Sequence, residues 1–347
     1  MTEPYEIRLR RRGRFPRVAF VVTASPSAGG ATTVVPTPCP AGRVPLEQGQ
    51  RKTVVIMLHS PRSSPGSPAT RFDRALASAA KQGRAALVTY LPVGYPSVSE
   101  SLDTMRRLAQ STDVLELGVP HTNPTLDGPV IREASARALA SGFHMRDLFA
   151  VLRELSASPA ALSVMTYWEP VRRYGVMKFA RESASAGASA VIVPDLAVDD
   201  VASWAAVARS VGLDTINLVS PHATHEQLAQ RCGETSGMLY VPATTGGTGA
   251  QGPLSAHLPS MVDRLRSLTS LPIGVGIGVS TVEQAAHVAG FADAVIIGSP
   301  LIRRMRTGPG GADSAVALAR DFADAVRRPP LRFPKRAPAH AADAFSR

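Results

Sequence analysis

The sequence predicts a (β/α)8 TIM barrel, a single domain over residues 67–328, from two observations. Eight short apolar runs are continuous rather than alternating, which indicates strands buried on both faces of a parallel sheet. Amphipathic segments separate these runs, and eight such units in about 260 residues fit a closed barrel. The predicted strands are Ala85–Val93, Asp113–Pro120, Leu162–Trp168, Ala190–Leu196, Thr215–Ser220, Met238–Ala243, Pro272–Gly278 and Ala294–Gly298.

The segments between the runs carry helix signals. Several start at Ser, Thr or Asp and end near Gly, as helix caps do. A doubly wound open sheet is the competing fold, but it usually carries G-x-G-x-x-G after its first strand, and "VTYLPVGYPS" does not. The predicted helices include 98–111, 176–187, 198–212, 224–234, 258–270, 281–290 and 313–328.

The net charge of +11 lies at the two ends of the chain. Residues 1–56 hold nine Lys or Arg against three acids, and residues 327–347 hold six against one, so the region between is neutral. Without a basic folded face or a recognisable motif, specific nucleic-acid binding is disfavoured. We expect residues 1–66 to be a disordered extension, or an upstream start chosen in error with Met57 as the alternative start, and residues 329–347 to be a basic, Pro-rich tail.

The remaining composition favours a cytoplasmic protein without a membrane anchor. No apolar run approaches the roughly 18 residues that a membrane helix needs. The two cysteines, Cys39 and Cys232, have neither zinc-site nor disulfide spacing. The arginines near the N-terminus, followed by "VAFVVTASPSA", imitate a secretory signal only weakly, and a targeting peptide stays an open alternative.

Glycine turns follow the last strands of the predicted barrel. Barrel enzymes bind phosphate after strands 7 and 8, where backbone N–H groups point at the anion. Gly278 in "GIG" and Gly298–Ser299 lie there, so we predict a phosphate site; the alternative is that these glycines relieve crowding at the rim. The segment "TTGGTGAQG" (244–252) is interpreted either as a lid over the substrate or as an ordinary mobile loop.

Two carboxylates lie in the second predicted strand and in the loop after it. Glu116 lies inside its apolar run, where burial should raise the pKa of the carboxyl group, and Asp127 lies in the loop that follows. Alone, Glu116 could be a structural glutamate satisfied by a neighbouring hydroxyl, and Asp127 could cap the helix that begins near Pro129. Together at one barrel mouth, facing a phosphate site, they are typical of an acid/base pair.

At this point the chain resembles a known family. "LELGVPHTNPTLDGPVIREASARAL" is similar to "LELGVPFSDPLADGPTIQ" of tryptophan synthase α subunits. The resemblance continues, in order, through "VTYLPVGYPS", "VMTYWEPVRRYG", "GASAVIVPDL", "GMLYVPATTGGTGA", "PIGVGIGVST" and "AVIIGSPLI", covering about residues 69–305. It implies retro-aldol cleavage of indole-3-glycerol phosphate to indole and glyceraldehyde 3-phosphate, without metal or cofactor, beside a pyridoxal-phosphate β subunit in an α2β2 complex.

The resemblance also implies roles for individual residues. Glu116 would shuttle protons to indole C3 and from the side-chain hydroxyl, and Asp127 would accept a hydrogen bond from the indole N–H. Asp195 of "PDL" is expected to be structural rather than catalytic. Tyr167 is expected in the substrate site because it lies at the end of the third strand. The family's other substrate-binding positions fall on Tyr90, Tyr240, Thr248, Gly249, Gly278, Gly298 and Ser299.

Three departures from the family pattern leave open whether the chain acts with a β subunit. "HTNP" places Asn123 where the family has an aspartate associated with β-subunit contact, Glu169 replaces a common asparagine, and Thr244 and Gly247 alter the lid. The alternatives are therefore an α subunit of tryptophan synthase, a free-standing lyase that releases indole for specialised metabolism, and a non-catalytic partner that regulates a β subunit. Retention of both acids argues against the last.

Overall fold

The computed structural model describes residues 20–21, 37–38, 69–244 and 252–327. Phe20–Val21 pairs with Thr37–Pro38 in a short antiparallel ladder. The rest of the N-terminal extension and the C-terminal tail lie outside the described residues, so their predicted disorder stays a prediction.

Residues 69–327 contain the predicted barrel. Its eight parallel strands close on themselves, with β8 hydrogen-bonded to β1, which confirms the (β/α)8 fold. The strands are β1 (Ala86–Pro92), β2 (Val114–Gly118), β3 (Ala161–Met165), β4 (Ala188–Ile192), β5 (Asp214–Leu218), β6 (Met238–Pro242), β7 (Ile273–Gly276) and β8 (Ala294–Ile297).

Twelve helices surround the strands in these same residues. They are α1 (Arg71–Lys81), α2 (Val98–Leu108), α3 (Pro129–Ala140), α4 (Met145–Leu155), α5 (Trp168–Tyr174), α6 (Val176–Ser185), α7 (Val198–Ser210), α8 (His225–Glu234), α9 (Leu258–Arg266), α10 (Val282–Ala289), α11 (Ser299–Met305) and α12 (Gly311–Arg327).

Polar residues fix where several helices begin. The hydroxyls of Thr70, Ser97, Thr224 and Thr281 each accept a backbone N–H at the start of a helix. Such a cap stabilises a helix by about 1 kcal/mol. These caps confirm the Ser and Thr start signals predicted from the sequence.

The predicted strands all exist, but all eight were drawn too long at their C-terminal ends, two of them by three or four residues. The predicted Leu162–Trp168 strand ends at Met165, and Trp168 already begins α5. The predicted Ala190–Leu196 strand is shifted: β4 begins at Ala188 and ends at Ile192, and Asp195 lies in a turn. Apolar side chains continue past both strand ends, which is why the sequence pattern extended them.

Charge pairs anchor the N-terminal face of the barrel. The Arg84 guanidinium makes two hydrogen bonds of 2.7 and 2.8 Å to the Asp113 carboxylate, which also accepts the Leu87 N–H at 2.8 Å. Arg266 pairs with Asp293 at 3.0 Å in the same way. Residues at this face serve stability, whereas the C-terminal strand ends are free for chemistry.

Candidate active site

A cavity opens at the C-terminal ends of the strands, where the sequence places the functional residues. Strands or loops from the whole circumference of the barrel contribute to its wall. It is lined by Tyr90, Glu116, Leu126, Asp127, Ile131, Met165, Ile192, Pro194, Leu218, Tyr240, Ile277, Gly278, Val279, Ser280, Ile296, Gly298, Ser299, Pro300 and Arg303.

Glu116 extends into this cavity from the middle of β2. It is in register with Tyr90 of β1 and Ser163 of β3, so all three side chains face the barrel interior. Only 4% of Glu116 is exposed. Burial, and secondarily the charge of Asp127, raises the pKa of Glu116 from 4.5 to about 8. Its carboxyl group is therefore mostly protonated at neutral pH.

Asp127 faces the same cavity from the loop between β2 and α3. The alternative that it caps α3 is wrong, because the N-cap of α3 is Gly128, Pro129 follows at the first helical position, and no side chain caps the helix. Burial raises the pKa of Asp127 from 3.8 to about 6, although a hydrogen bond from the Tyr167 hydroxyl and the charge of Arg132 act in the opposite direction. Asp127 is therefore mostly ionised at neutral pH.

Two tyrosines wall the cavity beside these acids. Burial and the nearby carboxylates raise the pKa of Tyr90 and of Tyr240, so both hydroxyls stay protonated. Each ring packs closely over a strand glycine. A Cβ on Gly118 would lie 2.3 Å from the Tyr90 hydroxyl oxygen, and one on Gly276 would lie 2.2 Å from that of Tyr240. These glycines give the tyrosines the space they occupy.

Another part of the cavity wall is formed by the predicted glycine turns. Gly278 has a φ of +114°, and a Cβ there would lie 2.5 Å from the Thr244 side chain. Ile277 before it has a φ of +46°, an uncommon conformation for a β-branched residue. Gly298 and the buried Ser299 complete this part of the wall. Backbone N–H groups of glycine turns and a serine hydroxyl are the donor types that bind a phosphate.

Sequence reasoning missed Arg303, which lines the same cavity from α11. Burial and the neighbouring Arg306 lower the pKa of its guanidinium. A cation four residues after Ser299, one helical turn away, was the signal that could have revealed it.

Comparison with known proteins identifies the family. The family model for the tryptophan synthase alpha chain matches residues 76–327. The chain is 41% identical over 263 residues to the tryptophan synthase alpha chain of Mycobacterium avium, covering 76% of this chain and 96% of that protein. The Thermobifida fusca alpha chain is 42% identical over 258 residues, covering 73% of this chain and 95% of that protein.

The chain belongs to the tryptophan synthase alpha chain family. It is an enzyme of the lyase type that the tryptophan synthase alpha chains represent. A solved structure of Mycobacterium tuberculosis tryptophan synthase superposes with a TM-score of 0.71 at 40% identity, covering 75% of this chain and all of that chain. An Aquifex aeolicus structure superposes with a TM-score of 0.69 at 30% identity, covering 75% of this chain and all of that chain.

The structure brings most of the predicted site residues of this family member together. Tyr90, Glu116, Asp127, Tyr240, Gly278, Gly298 and Ser299 line one cavity. Tyr167 lies behind Asp127, to which its hydroxyl is hydrogen-bonded. Asp195 accepts the Trp168 N–H at 2.9 Å at the start of α5, as a structural residue does. Thr248 and Gly249, with most of the predicted lid, lie outside the described residues.

Two structural features are absent from the described ranges. No helix there is long and apolar enough to cross a bilayer. No cluster of three or more His, Cys, Asp or Glu side chains in these ranges could hold a metal ion.

Proposed function

We propose that this chain cleaves indole-3-glycerol phosphate to indole and glyceraldehyde 3-phosphate, the α reaction of tryptophan synthase in tryptophan biosynthesis. The observation that carries the proposal is the pair of carboxyl groups in one cavity, with the pKa of Glu116 near 8 and that of Asp127 near 6. At neutral pH the pair offers one acid and one anion, and a proton transfer with charge stabilisation needs both.

The two acids divide the chemistry as follows. Glu116 donates its proton to indole C3, and Asp127 accepts a hydrogen bond from the indole N–H and stabilises the positive charge of the resulting indolenine. The Glu116 carboxylate then takes the proton of the side-chain hydroxyl as the C–C bond breaks. The bonding electrons return to the ring, the aldehyde leaves, and Glu116 is protonated again, so protons and electrons balance.

The remaining cavity residues bind the two ends of the substrate. Apolar side chains of β3, β4, β5 and β8 give the planar indole ring a dry wall: Met165, Ile192, Leu218 and Ile296. Gly278, Gly298, Ser299 and Arg303 form the end that suits the phosphate. Thr248 and Gly249 are proposed to complete the phosphate site and the lid. The step needs no metal or cofactor.

We also propose that the chain works in the cytoplasm with a tryptophan synthase β chain in an α2β2 complex. The relatives' names and the solved Mycobacterium tuberculosis tryptophan synthase support this partner. The free-standing lyase stays the second candidate, because Asn123 and Glu169 change the charges at the rim. Glu169 is 61% exposed at its side chain and could contact a partner directly.

Indole release from indole-3-glycerol phosphate tests these proposals. The full chain should be assayed with and without a tryptophan synthase β chain, beside Glu116→Gln and Asp127→Asn. Glu226→Gln, an exposed glutamate in the first turn of α8, is the matched control. Release mainly with β, abolished by both site variants, supports the α subunit; fast release alone supports the free-standing lyase. No release under either condition rejects the catalytic function.

A further inference from the structure

The imidazole of His121 lies against the ring of Tyr167. The two ring centroids are 5.3 Å apart and the rings are inclined by 28°, a stacked arrangement. His121 belongs to the loop between β2 and α3, which also carries Asp127, whereas Tyr167 is the N-cap of α5. The contact therefore joins the start of the Asp127 loop to the next strand-to-helix connection.

The hydroxyl of Tyr167 holds the far end of the same loop. It accepts the Leu126 N–H at 3.1 Å and is hydrogen-bonded to the Asp127 carboxylate. The loop thus wraps around one tyrosine, with His121 on the face of the ring and Leu126 and Asp127 at its hydroxyl. A change in the tilt of this ring would move the hydroxyl away from Asp127.

Two carboxylates surround His121 on its other sides. Glu169 Oε2 of α5 lies 4.0 Å from His121 Nδ1. Asp195, in the turn after β4, is close enough for an electrostatic interaction with His121. Since Asp195 is itself fixed by the Trp168 N–H, the imidazole sits in a defined position rather than on a free surface. Its side chain is 15% exposed.

We propose that His121 is a positioning residue for Asp127: by stacking on Tyr167 it keeps the tyrosine hydroxyl aligned with the catalytic carboxylate. The inference rests on the proposed lyase function and adds to it a residue that does not line the substrate cavity. In the family motif quoted above, Phe stands at the position of His121, so the role assigned to His121 depends on the aromatic stack and not on its charge.

The proposal has a signature that a purely structural role lacks. The Tyr167 hydrogen bond holds down the pKa of Asp127, so a misaligned hydroxyl should raise that pKa above about 6. The acidic limb of the rate profile should then move to higher pH. Among the described residues, the other titratable or charged groups that act on His121, Tyr167 or Asp127 are Tyr90 of β1, Glu116 of β2, Arg132 of α3, Tyr240 of β6, Glu169 and Asp195.

The test compares His121→Ala, His121→Phe and the control His287→Ala in the full chain. His287 of α10 makes a ring contact of similar length, 5.6 Å to Phe291, away from the cavity wall. We expect His121→Ala to lower kcat by about threefold to tenfold, the value of one aromatic pair, with KM within about twofold. The acidic limb of the rate profile should move to higher pH. His121→Phe should restore both kcat and the position of this limb.

Several results would overturn the proposal. Wild-type kinetics in His121→Ala, a change in KM alone, or a His121→Phe variant as impaired as the alanine would each do so. If His121→Ala fails to fold, His121→Leu replaces it, since it keeps volume but not the stack. If even the wild type releases no indole, the proposed function fails. The 13C titration of the Asp127 carboxyl then tests the positioning role of His121 by itself. A raised pKa of Asp127 in the variant supports that role, and an unchanged pKa rejects it.

Discussion

Replacing Glu116 by glutamine should stabilise the protein, and more so as the pH rises. The folded-state pKa of Glu116 is raised from 4.5 to about 8, so folding favours the protonated form. The contribution of Glu116 to stability is therefore most favourable below pH 4.5 and is lost as the pH rises toward 8. Glutamine keeps the shape of the protonated acid and cannot ionise, so it escapes this loss.

The magnitude follows from the pKa shift. A shift from 4.5 to about 8 corresponds to about 5 kcal/mol in all, and to about 2 kcal/mol over the interval between pH 6 and pH 8. The gap in free energy of unfolding between Glu116→Gln and the wild type should therefore widen by about 2 kcal/mol between those two pH values. Part of the titration of Asp127 falls in this interval, but both proteins share it.

Urea unfolding at pH 6 and pH 8 measures the gap, and the 13C titration of the Glu116 carboxyl gives the folded pKa directly. Glu226→Gln is the control, because an exposed glutamate has no burial to relieve, and its gap to the wild type should not change with pH. Parallel pH dependence of Glu116→Gln and the wild type would refute the reasoning, since it would mean that the buried carboxyl ionises without cost.

Three further outcomes are expected. The kcat/KM profile for indole-3-glycerol phosphate should be bell-shaped, rising near pH 6 as Asp127 ionises and falling near pH 8 as Glu116 loses its proton; a flat profile over this range contradicts the pair. Gly278→Ala should raise KM by roughly tenfold or more, because alanine is strained at a φ of +114° and its Cβ meets Thr244; unchanged affinity for the phosphate substrate contradicts this. Asp113→Ala should lower the free energy of unfolding by about 3 kcal/mol without changing kcat, since it removes the carboxylate partner of Arg84, whose side chain is only 10% exposed; calorimetry beside the indole assay checks both.

The barrel could be predicted from the sequence because each strand is recognisable from a few consecutive residues. A run such as Val114–Gly118 is buried at every position, and no surface strand has that pattern. Two of the helices that were not named carry less local information. The helices α5 and α11 are seven residues long and follow their strands almost directly, so no apolar period develops. By contrast, α4 is amphipathic with Asp147 in its first turn, and the same pattern applied there would have found it.

The candidate site could be predicted only in part, because some of its contacts join residues that are far apart in the sequence. The positions of Glu116 and Asp127 follow from the rule that barrel chemistry lies at the C-terminal strand ends. The contact between Tyr167 and Asp127 joins residues 40 positions apart in the chain, and no local pattern encodes it. The capping alternative for Asp127 failed for the same reason, because a loop aspartate before Pro129 is typical of a cap until a distant partner is known.

The difference between the two carboxyl groups arises from their surroundings and not from their depth alone. Glu116 is 4% exposed and Asp127 8%, so burial disfavours ionisation of both. Only Asp127 has a tyrosine hydrogen bond and an arginine charge that favour its ionised form, and these offset part of its burial. A strand that buries its acid without such partners therefore yields the proton donor, and a loop that brings its acid to Tyr167 yields the anion. The roles of the two acids therefore depend on these partners more than on where each acid lies. Partners that favour the ionised form, if they acted on Glu116 instead of Asp127, should reverse the two roles.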